Sequence, residues 1–268
     1  MKVIRVAALC ILALATTLSL GANFLAPHDY SEQFRQHANE RPSLGFPLGT
    51  DELGRDRLSR LLEGTRISLL CAAIAASIAT GAAAAIGLLA GYFGGWVDEM
   101  AGILADLFLS LPWLFALLSL RAILPLNTSP WVSLAATFLL LAAVGWAPSA
   151  RVIRANVASL RNSGSIVHAR AYGCGRARLL WFHMLPNLKP VLSAQFWILV
   201  PAFILTEANL GVLGLGINEP VPSWGNMLAE LQNYQRIPEE PWILAPAVLL
   251  VMVVGSLQLV VSQRNVWE

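Results

Sequence analysis

Few residues of this chain have side chains suited to acid–base or metal chemistry. An intramembrane enzyme needs a nucleophile with a base, or a set of metal ligands, at helical spacing within apolar segments. All four histidines lie outside the apolar segments: His28, His37, His168 and His183. His183 has no ligand spacing with His168 or Cys174 and is interpreted as a structural histidine whose ring binds a backbone carbonyl. The sequence therefore predicts neither a catalytic site nor a metal site.

The sequence also disfavours ATP hydrolysis by this chain. Its two lysines, Lys2 and Lys189, do not follow a glycine, so no glycine-rich phosphate-binding loop can form. A transporter driven by an ion gradient uses charged residues in mid-membrane helices, often repeated in the two halves of the chain. The carboxylates available for this, Asp106 and Glu207, both lie near the ends of apolar segments. An ion-coupled secondary transporter is therefore kept as one alternative.

The composition is that of an integral membrane protein. Apolar residues make up 56% of the 268 residues, charged residues make up 13%, and the mean hydropathy is +0.62. Soluble domains carry about 25% charged residues. The net charge is only +2 and the basic residues are unevenly distributed, which indicates membrane topology and disfavours nucleic-acid binding.

The elements that must position the remaining polar residues are helices that cross the membrane. A helix needs about 20 apolar residues to cross the hydrocarbon core. Six charge-poor runs predict an all-α protein with six transmembrane helices: Val6–Ala26, Ile67–Phe93, Met100–Leu124, Trp131–Pro148, Val191–Leu210 and Trp242–Val261. Lys2 and Arg5 precede the first run, so both termini are predicted to be cytoplasmic. The predicted division is an N-terminal anchor helix with an outer segment, residues 1–66, and a transmembrane domain, residues 67–263.

The connection between the fourth and fifth runs, residues 151–189, is the main basic segment. It contains no Asp or Glu and seven of the 18 basic residues: Arg151, Arg154, Arg161, Arg170, Arg176, Arg178 and Lys189. Such a loop remains in the cytoplasm, which agrees with the predicted topology. A large basic loop on that side indicates a docking surface for a soluble partner.

Within this loop the sequence predicts a helical hairpin. Gly173 and Gly175 separate residues 165–172 from residues 176–184, so we expect two short helices with a turn between them. The hairpin is predicted to present Tyr172, Leu179 and Leu180 as an apolar side to a partner. Pro186 is predicted at the entry to the fifth run, and the side chain of Asn187 is expected to satisfy nearby backbone groups.

The spacing from Gly173 through His183 to Leu185, Pro186 and Asn187 resembles the EAA loop of ABC importer permeases. In that family the loop carries a coupling helix that fits into a cleft of the ATP-binding subunit. The resemblance assigns ATPase coupling to ten residues: His168, Ala169, Tyr172, Gly173, Gly175, Leu179, His183, Leu185, Pro186 and Asn187. Val167, His168 and Ala169 occupy the Glu-Ala-Ala positions, so the acidic residue is missing. A diverged, non-transporting copy is therefore a further alternative.

Two other segments resemble one branch of the family, the permeases of dipeptide, oligopeptide and nickel importers, and specifically the C-type member of the permease pair. They are residues 46–69, FPLGTDELGRDRLSRLLEGTRISL, and residues 207–230, EANLGVLGLGINEPVPSWGNMLAE. The resemblance implies the type I ABC importer permease fold in a bacterial inner membrane. It implies as partners a second permease subunit, two ATP-binding subunits, an extracytoplasmic substrate-binding protein and membrane lipid. ATP and magnesium are expected on the ATPases, and no cofactor is expected on this chain. The substrate is left open between peptides, nickel chelates and other small solutes.

The two segments also supply candidates for the outer face or the transport pathway. They are Asp51, Gly54, Arg55, Asp56, Arg66, Glu207 and Trp224. The charges between residues 51 and 57 have a second interpretation as a solvated ion-pair face. Glu207 is either a functional carboxylate or a residue at the outer end of a span that stops near Thr206. Trp224 is interpreted as an interfacial anchor.

Overall fold

The computed structural model describes residues 2–123 and 128–264. Leu124, the end of the predicted third span, and the predicted cytoplasmic C-terminus at residue 268 lie outside the described residues. The described chain is helical, and within it an isolated bridge between Thr50 and Asp56 is the one β-type pairing. Its α-helices are α1 (Lys2–Leu20), α2 (Ala22–Leu25), α3 (Arg57–Phe93), α4 (Gly95–Ser110), α5 (Trp113–Ile123), α6 (Pro130–Arg161), α7 (Gly164–Ala171), α8 (Arg176–Leu179), α9 (Leu185–Asn187), α10 (Lys189–Val212), α11 (Trp224–Ala229) and α12 (Ala245–Arg264). Short 3₁₀ turns cover Arg35–His37, Glu230–Gln232, Tyr234–Arg236 and Pro241–Leu244, and a π-helical turn covers Leu180–Met184.

The membrane-protein class is confirmed, and the structure refines the number of spans. Five helical segments of the described chain are long and apolar enough to cross a membrane: Val3–Leu20, Arg57–Phe93, Pro130–Arg161, Lys189–Val212 and Pro241–Ser262. A sixth span exists if the bent pair α4 and α5 counts as one. The count of six therefore remains a prediction.

The predicted third span is interrupted at Pro112. α4 ends at Ser110, and Leu111 has extended backbone angles, with φ −74° and ψ 132°. A residue that precedes proline is driven out of the helical region by the proline ring, which accounts for this conformation. The bend between Gly95–Ser110 and Phe115–Ile123 is 81°. The predicted third span is thus divided between α4 and α5.

Two helices extend well beyond the apolar runs that predicted them. α3 begins at Arg57, ten residues before the predicted start at Ile67, and α6 continues through Pro148 to Arg161. Hydropathy detects only the part of a helix that is apolar, whereas the backbone hydrogen bonds continue into the charged turns. Residues 151–161 of the predicted cytoplasmic loop thus continue α6, and the bounds of that loop relative to the membrane stay a prediction.

The chain forms two compact units. The first contains Met1–Ala72, Leu120–Phe138 and Val200–Glu268. In this unit α1 packs against α12. The buried side chains of α1 are all small, namely Ala8, Ala15 and Ser19, which permits close contact between helices in lipid. These units do not correspond to the predicted division at residue 66, which concerned membrane topology and stays a prediction.

The second unit contains Ala73–Ser119 and Leu139–Leu199. Gly87 and Gly91 allow α3 to approach α6 closely, because a Cβ on Gly87 would lie 2.9 Å from the Ala150 carbonyl oxygen and one on Gly91 would lie 2.7 Å from the Arg154 carbonyl oxygen. The core of this unit includes Trp146, which makes an edge contact with Phe108 at a ring-centroid distance of 5.3 Å. This core supports the basic hairpin.

Candidate functional site

The predicted hairpin is present in the second unit. α7 ends at Ala171, and Gly173 has a φ of +77°, a conformation that glycine adopts without strain. The Gly173 amide donates to the Arg170 carbonyl at 3.0 Å, and the Cys174 amide donates to the Ala169 carbonyl at 3.1 Å. These bonds end α7 and turn the chain toward α8, which follows Gly175.

The hairpin is held by its own apolar residues, and this corrects the predicted apolar side. Leu179 and Leu180 are 1% and 9% exposed and belong to the core that contains Ile166 and Met184. They cannot be presented to a partner, because the hairpin packs onto the unit through them. On the same unit, the Arg170 guanidinium lies 6.0 Å from the ring centroid of Tyr92, at cation–π distance.

The surface that the hairpin does expose is aromatic and basic. Tyr172 is 90% exposed, as predicted, while Trp181 and Phe182 are 65% and 74% exposed. Exposed basic side chains lie close to them in the sequence: Arg170, Arg176 and Arg178. Trp181 and Phe182 were missed by the sequence reasoning, although two large aromatic residues beside a basic turn are a usable signal for a docking surface.

The remaining loop candidates have mixed environments. His168, Gly175, His183 and Pro186 are exposed, whereas Ala169 and Leu185 are half-buried. The His183 ring is exposed, and within the described residues it makes no bond to a carbonyl, contrary to the expectation. The residue is bonded through its own carbonyl oxygen instead. That carbonyl accepts from Nδ2 of Asn187 at 2.6 Å, as the sequence predicted for Asn187.

The end of α6 is fixed to α4 by ion pairs. Arg154 Nη2 donates to Asp98 Oδ2 at 2.6 Å, and Arg154 Nε bonds the other oxygen of the same carboxylate. Arg151 pairs with Asp106. Two of the seven basic residues of the predicted loop, Arg151 and Arg154, are thus neutralised by carboxylates of α4.

In the first unit, the predicted outer charges form a buried network. Asp51 and Arg55 are 2% and 6% exposed. Arg55 Nε donates to Asp51 Oδ2 at 2.6 Å, and Arg55 Nη1 donates to Glu219 Oε2 at 2.6 Å. Burial alone lowers the pKa of the Arg55 guanidinium, but the charges and hydrogen bonds of Glu219 and Asp51 raise it above its ordinary value. Arg60, 1% exposed, donates from Nη2 to Glu219 Oε1 at 3.0 Å.

The interpretation as a solvated ion-pair face was therefore wrong for all of these charges except Glu52, whose side chain is 71% exposed. Asp56 is fully buried, and its Oδ2 accepts from the Ser59 amide at 3.0 Å, which satisfies a free donor at the start of α3. Arg57 pairs with Glu230. Glu219 and Glu230 lie more than 150 positions away from the arginines that they bind. Hydropathy and spacing therefore could not identify these ion pairs.

Gly54 and Arg66 have local roles in the first unit. Gly54 has a φ of +75°, and a Cβ there would collide with the Phe34 carbonyl. Its own carbonyl accepts from the Phe34 amide at 3.1 Å. Arg66 Nη1 donates to Asn23 Oδ1 at 3.2 Å and lies 3.5 Å from Glu63 Oε2.

Glu207 and Trp224 lie in one buried polar cluster. Both are 0% exposed. The Ser68 hydroxyl donates to Glu207 Oε2 at 3.4 Å and accepts from the Trp224 amide at 3.2 Å. Trp224 Nε1 donates to Thr65 Oγ1 at 3.1 Å. The interpretation of Trp224 as an interfacial anchor was wrong, since its side chain is enclosed. α10 continues to Val212, and the position at which the membrane span ends stays a prediction.

Glycines bring the backbone close to this cluster. A Cβ on Gly225 would lie 2.6 Å from Glu207 Oε1, and a Cβ on Gly211 would collide with the Gly225 main chain. The sequence between residues 207 and 225 is rich in glycine because α10 and α11 approach at backbone distance. Within the described residues, no group of three or more His, Cys, Asp or Glu could hold a metal ion.

Arg121 is a further buried cation that the sequence reasoning missed. It is 5% exposed, and its Nη2 donates to Ser133 Oγ at 2.6 Å and to the Gly216 carbonyl at 2.9 Å. Its third acceptor is Asn218 Oδ1 at 3.3 Å. These bonds fix the segment after α10 to α6.

Comparison with known proteins places these features in a family. Residues 83–266 match the model of the binding-protein-dependent transport system inner membrane component. The chain is 36% identical to the di/tripeptide transport system permease protein DppC of Pseudomonas aeruginosa, over 90% of this chain and 79% of that protein. It is 34% identical to the oligopeptide transport system permease protein OppC of Mycobacterium bovis, over 85% and 77% of the two chains. It is 32% identical to the glutathione transport system permease protein GsiD of Pectobacterium atrosepticum, over 86% and 75%. The chain therefore belongs to the family of binding-protein-dependent transport system inner membrane components, as a multi-pass, non-catalytic, pore-forming subunit of an ABC importer.

Proposed function

We propose that this subunit forms one half of the translocation pathway of a peptide importer. The chain is 32–36% identical to relatives named for dipeptide, oligopeptide and glutathione transport, and the similarity covers most of their length. The second half is a different permease, two ATP-binding subunits carry ATP and magnesium, and a binding protein delivers the peptide. The proposed chain division is an anchor and outer segment up to residue 66 and a transmembrane domain from residue 67.

The proposed energy coupling runs through the hairpin. The observation that carries it is the exposed aromatic and basic surface of Tyr172, Trp181 and Phe182, held on a packed core by Leu179 and Leu180. A docking element must combine an accessible surface with a rigid attachment, since a flexible loop would absorb the movement of its partner. The ATPase is proposed to bind this surface and move the hairpin as its nucleotide sites close.

The experiment that tests the function is reconstitution of the co-purified complex in liposomes. Binding-protein-dependent and ATP-dependent uptake of labelled di- and tripeptides supports the proposal. Uptake of a nickel chelate instead of peptides rejects the peptide assignment but keeps the importer. Uptake by this chain without ATP would identify an ion-coupled carrier, and an assembled but inactive complex would identify a diverged copy.

Replacing Tyr172 with alanine is expected to reduce ATP-dependent uptake about tenfold or more, because loss of a central aromatic contact typically costs 2 kcal/mol or more at an interface. The side chain is 90% exposed, so insertion and folding are expected to be unchanged. The measurement is uptake by the reconstituted complex, together with stimulation of its ATPase activity by the binding protein. Tyr234→Ala is the matched control, since Tyr234 is 72% exposed and lies outside the hairpin. Equal loss in both variants would contradict a specific role of the hairpin.

We propose that both termini and the hairpin face the cytoplasm and that residues 27–66 face outward. The basic residues between 161 and 189 support this side for the hairpin. A tag inserted after Gln33 is expected to react with impermeant reagents in intact cells, and a tag after Asn162 only after permeabilisation. Both residues are exposed, so the inserts should be tolerated. The opposite labelling pattern would reject this topology.

A further inference from the structure

The second unit contains an open cleft that the transport function leaves unexplained. Its volume is about 510 Å³, and it lies among the end of α3, the first turns of α4 and the last turns of α6. Its floor consists of small residues, including Gly91, Gly94, Gly102 and Ala158. Because these residues have little or no side chain, the polar groups of the rim surround an accessible space.

The charges of the rim do not cancel. Arg151, Arg154 and Arg161 line the cleft together with Asp98 and Asp106. The carboxylates pair with Arg151 and Arg154, and in the described part of the chain Arg161 has no ion-pair partner. The Arg161 guanidinium is directed to Gly94, because a Cβ on Gly94 would lie 3.1 Å from its Nη1. The cleft therefore carries one uncompensated positive charge.

The two ion pairs are also accessible. The side chains of Arg151 and Asp106 are 49% and 62% exposed, and those of Arg154 and Asp98 are 38% and 29% exposed. Ion pairs that are this exposed contribute little to stability. Arg151 and Arg154 can therefore share their guanidinium donors with an incoming anion. Guanidinium groups bind the oxygens of phosphates and carboxylates in a bidentate geometry, so a phosphate is a suitable anion for this cleft.

Exposed apolar residues close in sequence to Gly94 and Asp98, which line the cleft, point to the source of the phosphate. Phe93 and Trp96 are 45% and 74% exposed, and Met100 is 46% exposed. They lie on either side of Gly94 and Asp98, at the junction of α3 and α4. Aromatic side chains at the end of a membrane span occupy the lipid headgroup region, and basic pockets between spans bind anionic headgroups there.

We propose that this cleft binds the phosphate headgroup of an anionic phospholipid, with Arg161 as the principal ligand and with the acyl chains along Phe93 and Trp96. The single excess charge of the rim matches the charge of a phosphodiester. The bound lipid would neutralise Arg161 at the base of the hairpin. This inference is independent of the transported substrate and depends only on the chain being a membrane protein.

The test uses the purified complex in nanodiscs that contain equal amounts of phosphatidylglycerol and phosphatidylcholine. Lipids retained after transfer to mild detergent are counted by native mass spectrometry. The wild-type protein is expected to retain phosphatidylglycerol preferentially, and Arg161→Gln is expected to reduce this preference about fivefold, the effect of one arginine at an anionic membrane surface. Arg5→Gln is the matched control, because Arg5 is exposed and does not line the cleft.

Three results would overturn the proposal. Equal retention of the two lipids would show that the cleft does not prefer an anionic lipid over a zwitterionic one. An unchanged preference in Arg161→Gln, with an unchanged unfolding midpoint, would remove Arg161 from the site. Displacement of the lipid by millimolar glycerol phosphate would identify a soluble phosphate compound as the ligand instead of a phospholipid.

Discussion

Asp51→Asn is expected to lower the free energy of unfolding by about 3 kcal/mol or more, because it leaves buried cations without their buried counter-charge. Arg55 and Arg60 are 6% and 1% exposed, and Asp51 is the enclosed carboxylate beside them. The other carboxylate, Glu219, is 48% exposed. It therefore cannot neutralise the two arginines as well as the enclosed Asp51 does. Asparagine has nearly the same volume, so the loss reflects the charge and not a cavity. Unfolding in detergent with increasing denaturant measures the change.

The adjacent residue provides the control. Glu52 also pairs with an arginine, Arg236, at 2.7 Å, but its side chain is 71% exposed. Glu52→Gln is therefore expected to cost less than about 1 kcal/mol. Equal effects of the two substitutions would show that the network around Asp51 is solvated in the folded protein, contrary to its burial.

Gly211→Ala is expected to have the second large effect, a destabilisation of about 3 kcal/mol, at the upper end of the range for overpacked positions. The added methyl group would collide with the main chain of Gly225, which cannot move aside as a flexible side chain can. Separation of α10 from α11 would also move Gly225 away from the Glu207 carboxylate and weaken the cluster with Ser68. We expect less folded protein after extraction and a lower unfolding midpoint.

Gly255→Ala is the control for this substitution. Gly255 lies in α12, in the same unit, and a Cβ there would meet no atom within 4 Å. Alanine is the better helix former by about 1 kcal/mol, so this variant is expected to be as stable as the wild type or more stable. A Gly211→Ala protein as stable as the Gly255→Ala protein would reject the close contact between α10 and α11.

The sequence predicted the features that depend on local pattern. Charge-poor runs located the helices, because a bilayer requires about 20 apolar residues per helix. The hairpin was predicted from Gly173, Gly175 and Pro186, residues whose backbone preferences act locally. The position of the third span was also predicted, but it is interrupted at Pro112. A proline alone does not predict such a break, because α6 and α10 continue through Pro148 and Pro201.

Features that depend on distant residues were not predicted. Asp51 and Arg55 have the pattern of an exposed charged segment, and only the structure, in which Arg55 also binds the distant Glu219, shows that they are buried. Leu179 and Trp181 occupy the same short segment, but one is in the core and the other is on the surface. Hydrophobicity alone cannot distinguish them, since both types of residue suit a core and a docking surface.

The packing of α1 on α12 has a consequence for biosynthesis. Nearly the whole described chain lies between the two helices, so α1 leaves the ribosome long before its packing partner exists. During that interval its small residues Ala8, Ala15 and Ser19 face lipid instead of α12. α1 can remain inserted on its own because its mean hydropathy over Val3–Leu20 is 2.2. The packing of α1 on α12 therefore forms only after α12 is inserted. A ribosome that stalls before Ala245 leaves α1 as a separate anchor whose packing face has no partner.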